Sequence, residues 1–265
     1  MQKKSNLSGL FTIGVILGAF IMGWIIYLYV LGDGSHFVDG DNHKAPKEGD
    51  YWGIMFKGGP IVPFLLGCFM IVWVISIERI FTLVKARGNG NVAQFIKRIQ
   101  FNLTNGDLAK AEAECDKQKG SVANVIKSGL HTYRAMQNDK TLNKDQKMLA
   151  IQKEVEESTA LELPMLQRNL PILATLAPIG TLLGLIGTVL GMIRAFAALA
   201  NAGAPDQTAL SSGISEALIN TALGISTSAF AIIFYNALSS NIDTLTYAVD
   251  EAGYSISQTF ASKEN

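Results

Sequence analysis

The chain of 265 residues is poor in the groups that build most catalytic and metal sites, with two cysteines and three histidines. Cys68 sits in an apolar run and Cys115 in a charged region, so no disulfide joins them in the expected fold. His36 and His43, with Asp33, Asp39 and Asp41, are where metal-ligating side chains crowd most. Their spacing fits no metal motif, a solvated Gly/Asp-rich loop accounts for them, and no metal is assigned. Strand-like alternation, a glycine-rich phosphate loop and a nucleophile elbow are all missing, and no catalytic constellation takes their place. The chain is therefore not read as an enzyme, and no cofactor is expected. Charge is scarce too: 17% of residues carry one, against roughly 25% in an ordinary soluble domain. Basic and acidic residues balance at 22 each, which gives no footing for a nucleic-acid partner.

What fills the space is apolar sequence in four blocks, 7–31, 61–84, 171–200 and 210–238. Each meets the length of about 20 apolar residues that a bilayer core of about 30 Å asks of a helix. The first two are rich in Ile, Leu, Val and aromatics, as anchors facing lipid would be. Lys3 and Lys4 before the first block suggest a signal peptide, but residues 10–31 run 22 positions without a charge. That exceeds the usual apolar core of about 7–15, and no A-x-A-like cleavage site follows, so a retained span is expected.

The Lys/Arg bias sets the orientation. Residues 85–170 hold 14 of the 22 basic residues, against three in 32–59 and none in 201–210. Both termini and 85–170 are thus placed on the cytoplasmic side of the membrane. The expected order is a tip and first span (1–31), a periplasmic loop (32–60), span 2 (61–84) and a helical cytoplasmic region (85–170). Span 3 (171–200), a periplasmic turn (201–209), span 4 (210–238) and a cytoplasmic tail (239–265) follow. Within 85–170, Asn91 is positioned to cap VAQFIKRIQFNL, NGD at 105–107 to start LAKAEAECDKQ, and Ser121 to cap VANVIKSGLHTYRAM. A further helix is expected from about 141 to 163. The fold class is all-α, with spans 3 and 4 long and extending into the cytoplasm, and Pro171 and Pro178 bending the third.

Spans 3 and 4 differ from the anchors. Gly180, Gly184, Gly187 and Gly191 form a small-residue seam on one, and Gly213, Ala217, Thr221, Gly224 and Ser228 a second stripe on the other. Span 4 also carries Glu216 and Asn220, and span 3 carries Arg194. An ionisable side chain in a span costs at least about 2.5–3.5 kcal/mol, so it faces protein or water and has a partner. If the two spans form a hairpin turning near residue 205, residues whose numbers total about 410 lie at equal depth. Arg194 then matches Glu216, roughly 10 Å below the turn, and Thr188 matches Thr221, roughly 20 Å below it. Thr181, Gly184, Thr188 and Ala195 share one helix face; Ala217, Thr221 and Ser228 share another. Glu216 groups instead with Asn220 and Thr227, about 140° from Thr221. The threonine faces, with Thr181 and Ser228, are read as lining a path, and Arg194–Glu216 as a packing salt bridge within or between subunits. Two readings of Glu216 stay open, a proton site and simply the partner of Arg194.

GLIGTVLGM (184–192), ISEALINTALG (214–224) and the Tyr235-Asn236 pair resemble the ExbB/TolQ/MotA family of bacterial proton-channel subunits. The ExbB and TolQ branch matches most nearly, with GLxGTVxGI, then IxEALxxTAxG, then YN. Glu78–Arg79 resembles the end of the family's first shared span. The chain departs from the pattern in its extra span at 7–31, in Thr181 where a proline is usual, and in the charge at Arg194.

The resemblance implies a homo-oligomeric ring of five subunits around two single-span helices of an ExbD- or TolR-like partner. Each partner helix carries a proton-bearing aspartate. The family's pore threonines fall on Thr188 and Thr221, and its glutamate on Glu216. The implied function is a stator of a Gram-negative inner membrane that turns proton motive force into mechanical work, energising outer-membrane uptake with a TonB-like protein. A TolQ-like or gliding-motor role is the alternative within the family. Outside it stand a secondary transporter, which calls for internal symmetry that 7–84 and 171–238 lack, and a non-conducting scaffold.

Overall fold

The structure is a computed structural model that describes residues 2–200 and 206–263, with side chains from Thr12 onward. Residues 201–205 of the expected periplasmic turn lie outside the described residues. Among the described residues the chain is helical, with one isolated bridge between Phe37 and Pro46 and no strand. The α-helices in order are α1 (Gln2–Ile25), α2 (Tyr51–Phe56), α3 (Val62–Arg87), α4 (Val92–Thr104), α5 (Leu108–Gln118), α6 (Gly120–Asn138), α7 (Lys144–Gln167), α8 (Leu170–Ala200) and α9 (Gln207–Lys263). Among the described residues four stretches are long and apolar enough to cross a membrane: three contain the expected blocks 61–84, 171–200 and 210–238, and the first, Thr12–Leu31, covers most of block 7–31. This is a membrane protein. The chain divides into two compact units, Met1–Ile77 with Pro171–Tyr235, and Glu78–Leu170 with Asn236–Asn265.

In the first unit α1 lies close against the start of α3. A Cβ on Gly23 would stand 2.7 Å from the Pro63 carbonyl, and the Phe20 ring covers Gly67. Backbone approach of this kind is what draws helices together where burial from water does not. Edge-to-face contact of Trp24 on Phe64 (5.9 Å) and stacking of Tyr27 on Phe56 (4.7 Å) continue the seam. Past Ile25 the helix widens into a π turn, Ile26–Leu31, stopped at Gly32. Trp73 joins α3 to α9 through Phe230 and Phe234, at 5.6 and 5.2 Å between rings.

Residues 33–50 are mostly exposed, as the expected solvated loop would be, yet fixed contacts hold them. Phe37 is fully buried, Asp50 caps α2 by accepting from Trp52 N and Gly53 N, and His36 Nδ1 meets Asp50 Oδ2 at 2.8 Å. That bond and the helix-end amides hold the Asp50 carboxyl below its ordinary pKa. Lys57 donates to the carbonyls of Asn42 (3.0 Å) and His43 (3.1 Å) over the Phe37 ring. Loop carbonyls that lack ladder partners are satisfied by one ammonium, which turns the segment into a folded cap.

The second unit is a helical bundle. Asn91 caps α4 as expected, accepting from Ala93 N at 2.9 Å, and α7 opens with a capping box of Asn143 and Gln146. Ser121 does not cap α6: the helix starts one residue earlier, after Lys119 at φ 57°. Gly120, at φ 84°, lies so close to the carbonyls of Lys85 and Ala86 that a side chain would collide, and this crossing fixes the start. The tail expected at 239–265 is helix through Lys263. Leu238, Ile242, Leu245, Val249, Ala252, Ile256 and Phe260 bury one face of it at spacings of three and four. Buried Arg79 pairs with Glu78 and donates to the Met165 and Leu166 carbonyls at the end of α7 (3.2 and 3.5 Å). Asn169, at φ 64°, then turns the chain, so the break falls there and Pro171 sits harmlessly in the first turn of α8. Cys68 and Cys115 are both free and buried, one in each unit. Burial pushes the Cys115 thiol up to about 12, so it stays protonated.

Candidate polar path between the third and fourth spans

The site is built on the glycine seam of α8. A Cβ on Gly191 would stand 2.7 Å from the Gly213 carbonyl, and one on Gly224 would stand 2.6 Å from the Gly180 carbonyl. Gly184 faces the Asn220 carbonyl and Gly187 the Asn220 side chain. All six glycines named from the sequence therefore lie between α8 and α9 within one chain. Helices this close let short hydroxyl side chains reach across.

Three polar contacts do so at successive depths. Arg194 Nη1 donates to both Glu216 oxygens, at 2.5 and 2.6 Å. The hydroxyls of Thr188 and Thr221 bond to each other. Thr181 Oγ1 lies 2.8 Å from Ser228 Oγ, which donates to the Ala177 carbonyl. About five to seven residues of helix separate one contact from the next, or roughly 8–10 Å. The equal-depth pairing drawn from the hairpin register is present, and a third pair, Thr181 with Ser228, continues it.

The threonine pair has two protons for three contacts. Thr188 Oγ1 is also 3.1 Å from the Gly184 carbonyl, and Thr221 Oγ1 is 3.0 Å from the Ala217 carbonyl. Each hydroxyl has one O–H. One therefore donates to its own helix while the other donates to the first, and turning both reverses the order. Both side chains are half-buried, whereas Ser228 is buried and Thr181 exposed.

The charged level is closed differently. The Glu216 side chain is 7% exposed and that of Arg194 is 52% exposed, so the carboxylate is enclosed and the guanidinium forms its open side. Gly59, at φ 78°, lies directly on the carboxylate, where any side chain would strike it. Next to it Asn220 Nδ2 donates to the Gly58 carbonyl at 2.8 Å. Asn220 Oδ1 is buried and has no hydrogen-bond partner among the described residues. Thr227, on the same face, is buried and bonds its own backbone at Leu223. The sequence reading grouped Glu216, Asn220 and Thr227 correctly but missed Gly58 and Gly59. The signal was there in KGGP (57–60), two glycines between a lysine and a proline at the entrance to a span. The expected crowding of His36, His43 and three aspartates disperses: His36 pairs with Asp50, while Asp41 accepts from the His43 backbone. Among the described residues no three such side chains gather to hold a metal.

The family model for the MotA/TolQ/ExbB proton channel family matches residues 118–251, half of the chain. The chain belongs to the MotA/TolQ/ExbB proton channel family. No curated protein matched it. The match takes in α8 and the first 45 residues of α9 (207–251), so the three polar levels all fall on MotA/TolQ/ExbB sequence. The first helix, the cap and α3 lie before it. Members of the MotA/TolQ/ExbB family act as oligomeric channels with a partner protein.

Proposed function

We propose that the chain is a stator subunit of the ExbB/TolQ branch, in the inner membrane of a Gram-negative bacterium with both termini cytoplasmic. Five copies form a ring around single-span helices of an ExbD/TolR-like partner, whose aspartate carries the proton. The work done is most directly the energising of outer-membrane uptake through a TonB-like protein. The chain itself performs no chemical conversion.

The observation that carries the reading is the Thr188–Thr221 bond at mid-span depth, on helices held together by glycines. A hydroxyl pair with two interchangeable donor orders passes a proton's position along without a charged group of its own. Glu216, locked to Arg194 about one and a half turns away, steadies the helix pair rather than carrying the proton.

The test is replacement of both threonines by valine, which keeps the branched shape and removes both O–H groups. Interhelical hydrogen bonds in membranes are worth on average about 0.6 kcal/mol, so assembly should persist. Proton uptake by liposomes holding the purified complex should disappear. Undiminished uptake by an assembled double variant would leave the chain as a scaffold.

A further inference from the structure

At the end of the first unit where the cap meets the start of α9 there is a cavity of about 490 Å³. Its lining divides by chemistry. Pro46 and Ile54 give it an apolar wall, Lys44 and Lys57 supply two ammonium groups, and Ser211, Ser212 and Ser215 line the α9 side. Among the described residues no aspartate or glutamate lines it. We propose that this cavity binds a phosphate group, held by Lys57 and the serine hydroxyls, with the headgroup of an anionic phospholipid as its source. The inference needs only the membrane reading and is independent of proton conduction.

Three features of the site support an anion. Lys57 is the better placed cation, since two of its three N–H bonds go to the Asn42 and His43 carbonyls, which leaves one donor and a full charge. Its charge is incompletely compensated: burial pulls its pKa below the ordinary lysine value, and Asp41 offsets this only in part. Lys44 is tied to Asp39 at 2.7 Å, but both are exposed, and a pair of that kind is weak enough to exchange for a better anion. The serine hydroxyls form no hydrogen bond to another described residue, although the three serines occupy one face of a helix opposite the lysines.

Depth favours a lipid source. The lining residues of α9 run from Gln207 to Ser215, the first two turns of the fourth span. That is about 12 Å of helix, and the headgroup layer on each side of a bilayer core is roughly 5–8 Å deep. A volume in the range of small-ligand sites, a few hundred Å³, suits a glycerophosphate headgroup with its chains leaving along the apolar wall.

The experiment titrates the full chain, purified in detergent, with short-chain phosphatidylglycerol, short-chain phosphatidylcholine and inorganic phosphate. Wild type should bind phosphatidylglycerol in preference to phosphatidylcholine. Lys57→Gln should weaken binding about tenfold or more, the scale of one charge-assisted hydrogen bond. Because Lys57 also ties the cap together, Ser212→Glu is the deciding variant: it breaks no described bond and sets a carboxylate in the lining. It should weaken binding at least as much, while Lys47→Gln, on the same segment but outside the lining, should not. Binding of inorganic phosphate with the same loss in Ser212→Glu upholds the phosphate site and assigns it a soluble source. Absence of binding to either phosphatidylglycerol or inorganic phosphate, or wild-type affinity in Ser212→Glu, overturns the proposal.

Discussion

Arg194 and Glu216 carry opposite burdens although they form one ion pair. Removing one partner of a buried pair costs about 3–5 kcal/mol because the other charge is stranded. Here only the carboxylate is enclosed, whereas half of the Arg194 side chain meets the surroundings, which lowers that figure. Arg194→Gln should therefore destabilise the assembled protein more than Glu216→Gln, by roughly 1–3 kcal/mol against less than about 1. The exchanged pair Arg194→Glu with Glu216→Arg should recover part of the loss. Recovery stays partial because Gly59 leaves little room for a guanidinium at position 216. Oligomer retention on gel filtration and the thermal midpoint read both effects. Complete failure of the exchanged pair would point to a separate duty for the Glu216 carboxylate.

At the scale of helices, glycines divide by what faces them. In the α8–α9 seam Gly184, Gly191, Gly213 and Gly224 oppose backbone, which cannot swing aside, while Gly14 and Gly18 on α1 have no described atom within 4 Å. Gly224→Leu should abolish the folded protein in detergent, and Gly14→Ala should leave the thermal midpoint unchanged or slightly raised. Substituting alanine for glycine favours a helix by about 1 kcal/mol. The same contrast explains what the sequence disclosed. A seam repeating at three and four positions marks a helix face by itself, and with the hairpin register it paired Thr188 with Thr221 and Arg194 with Glu216. The cap has no such period. Its form depends on Phe37, Lys57 and the His36–Asp50 bond meeting across loops, and composition alone resembles an open loop. At the far end of α9 the expected extension into a tail is helix, but its buried face was not legible, because the seam from Leu238 to Phe260 is diluted by Ser, Thr and Asn.

For the molecule as a whole, the decisive question is where a proton could be held midway. The contacts Thr188–Thr221 and Thr181–Ser228 offer hydroxyls alone, which relay a hydrogen bond but do not ionise near neutral pH. Glu216 is about five residues from Thr221, roughly 8 Å along the helix, and Arg194 holds both its oxygens. In the second unit Glu78 is engaged by Arg79, Thr82 and Asn169. Among the described residues, the hydroxyl contacts between α8 and α9 thus come without a mid-depth carboxylate, in keeping with a family whose channels act with a partner protein. The purified chain alone should show no more proton flux in liposomes than its Thr188→Val, Thr221→Val variant. Flux should appear when a single-span protein with an aspartate inside its span is reconstituted with it, and changing that aspartate to asparagine should abolish the flux again. Equal conduction by the chain alone and by the complex would mean that the proton carrier is already within these four spans, and Glu216 would then be the residue to re-examine.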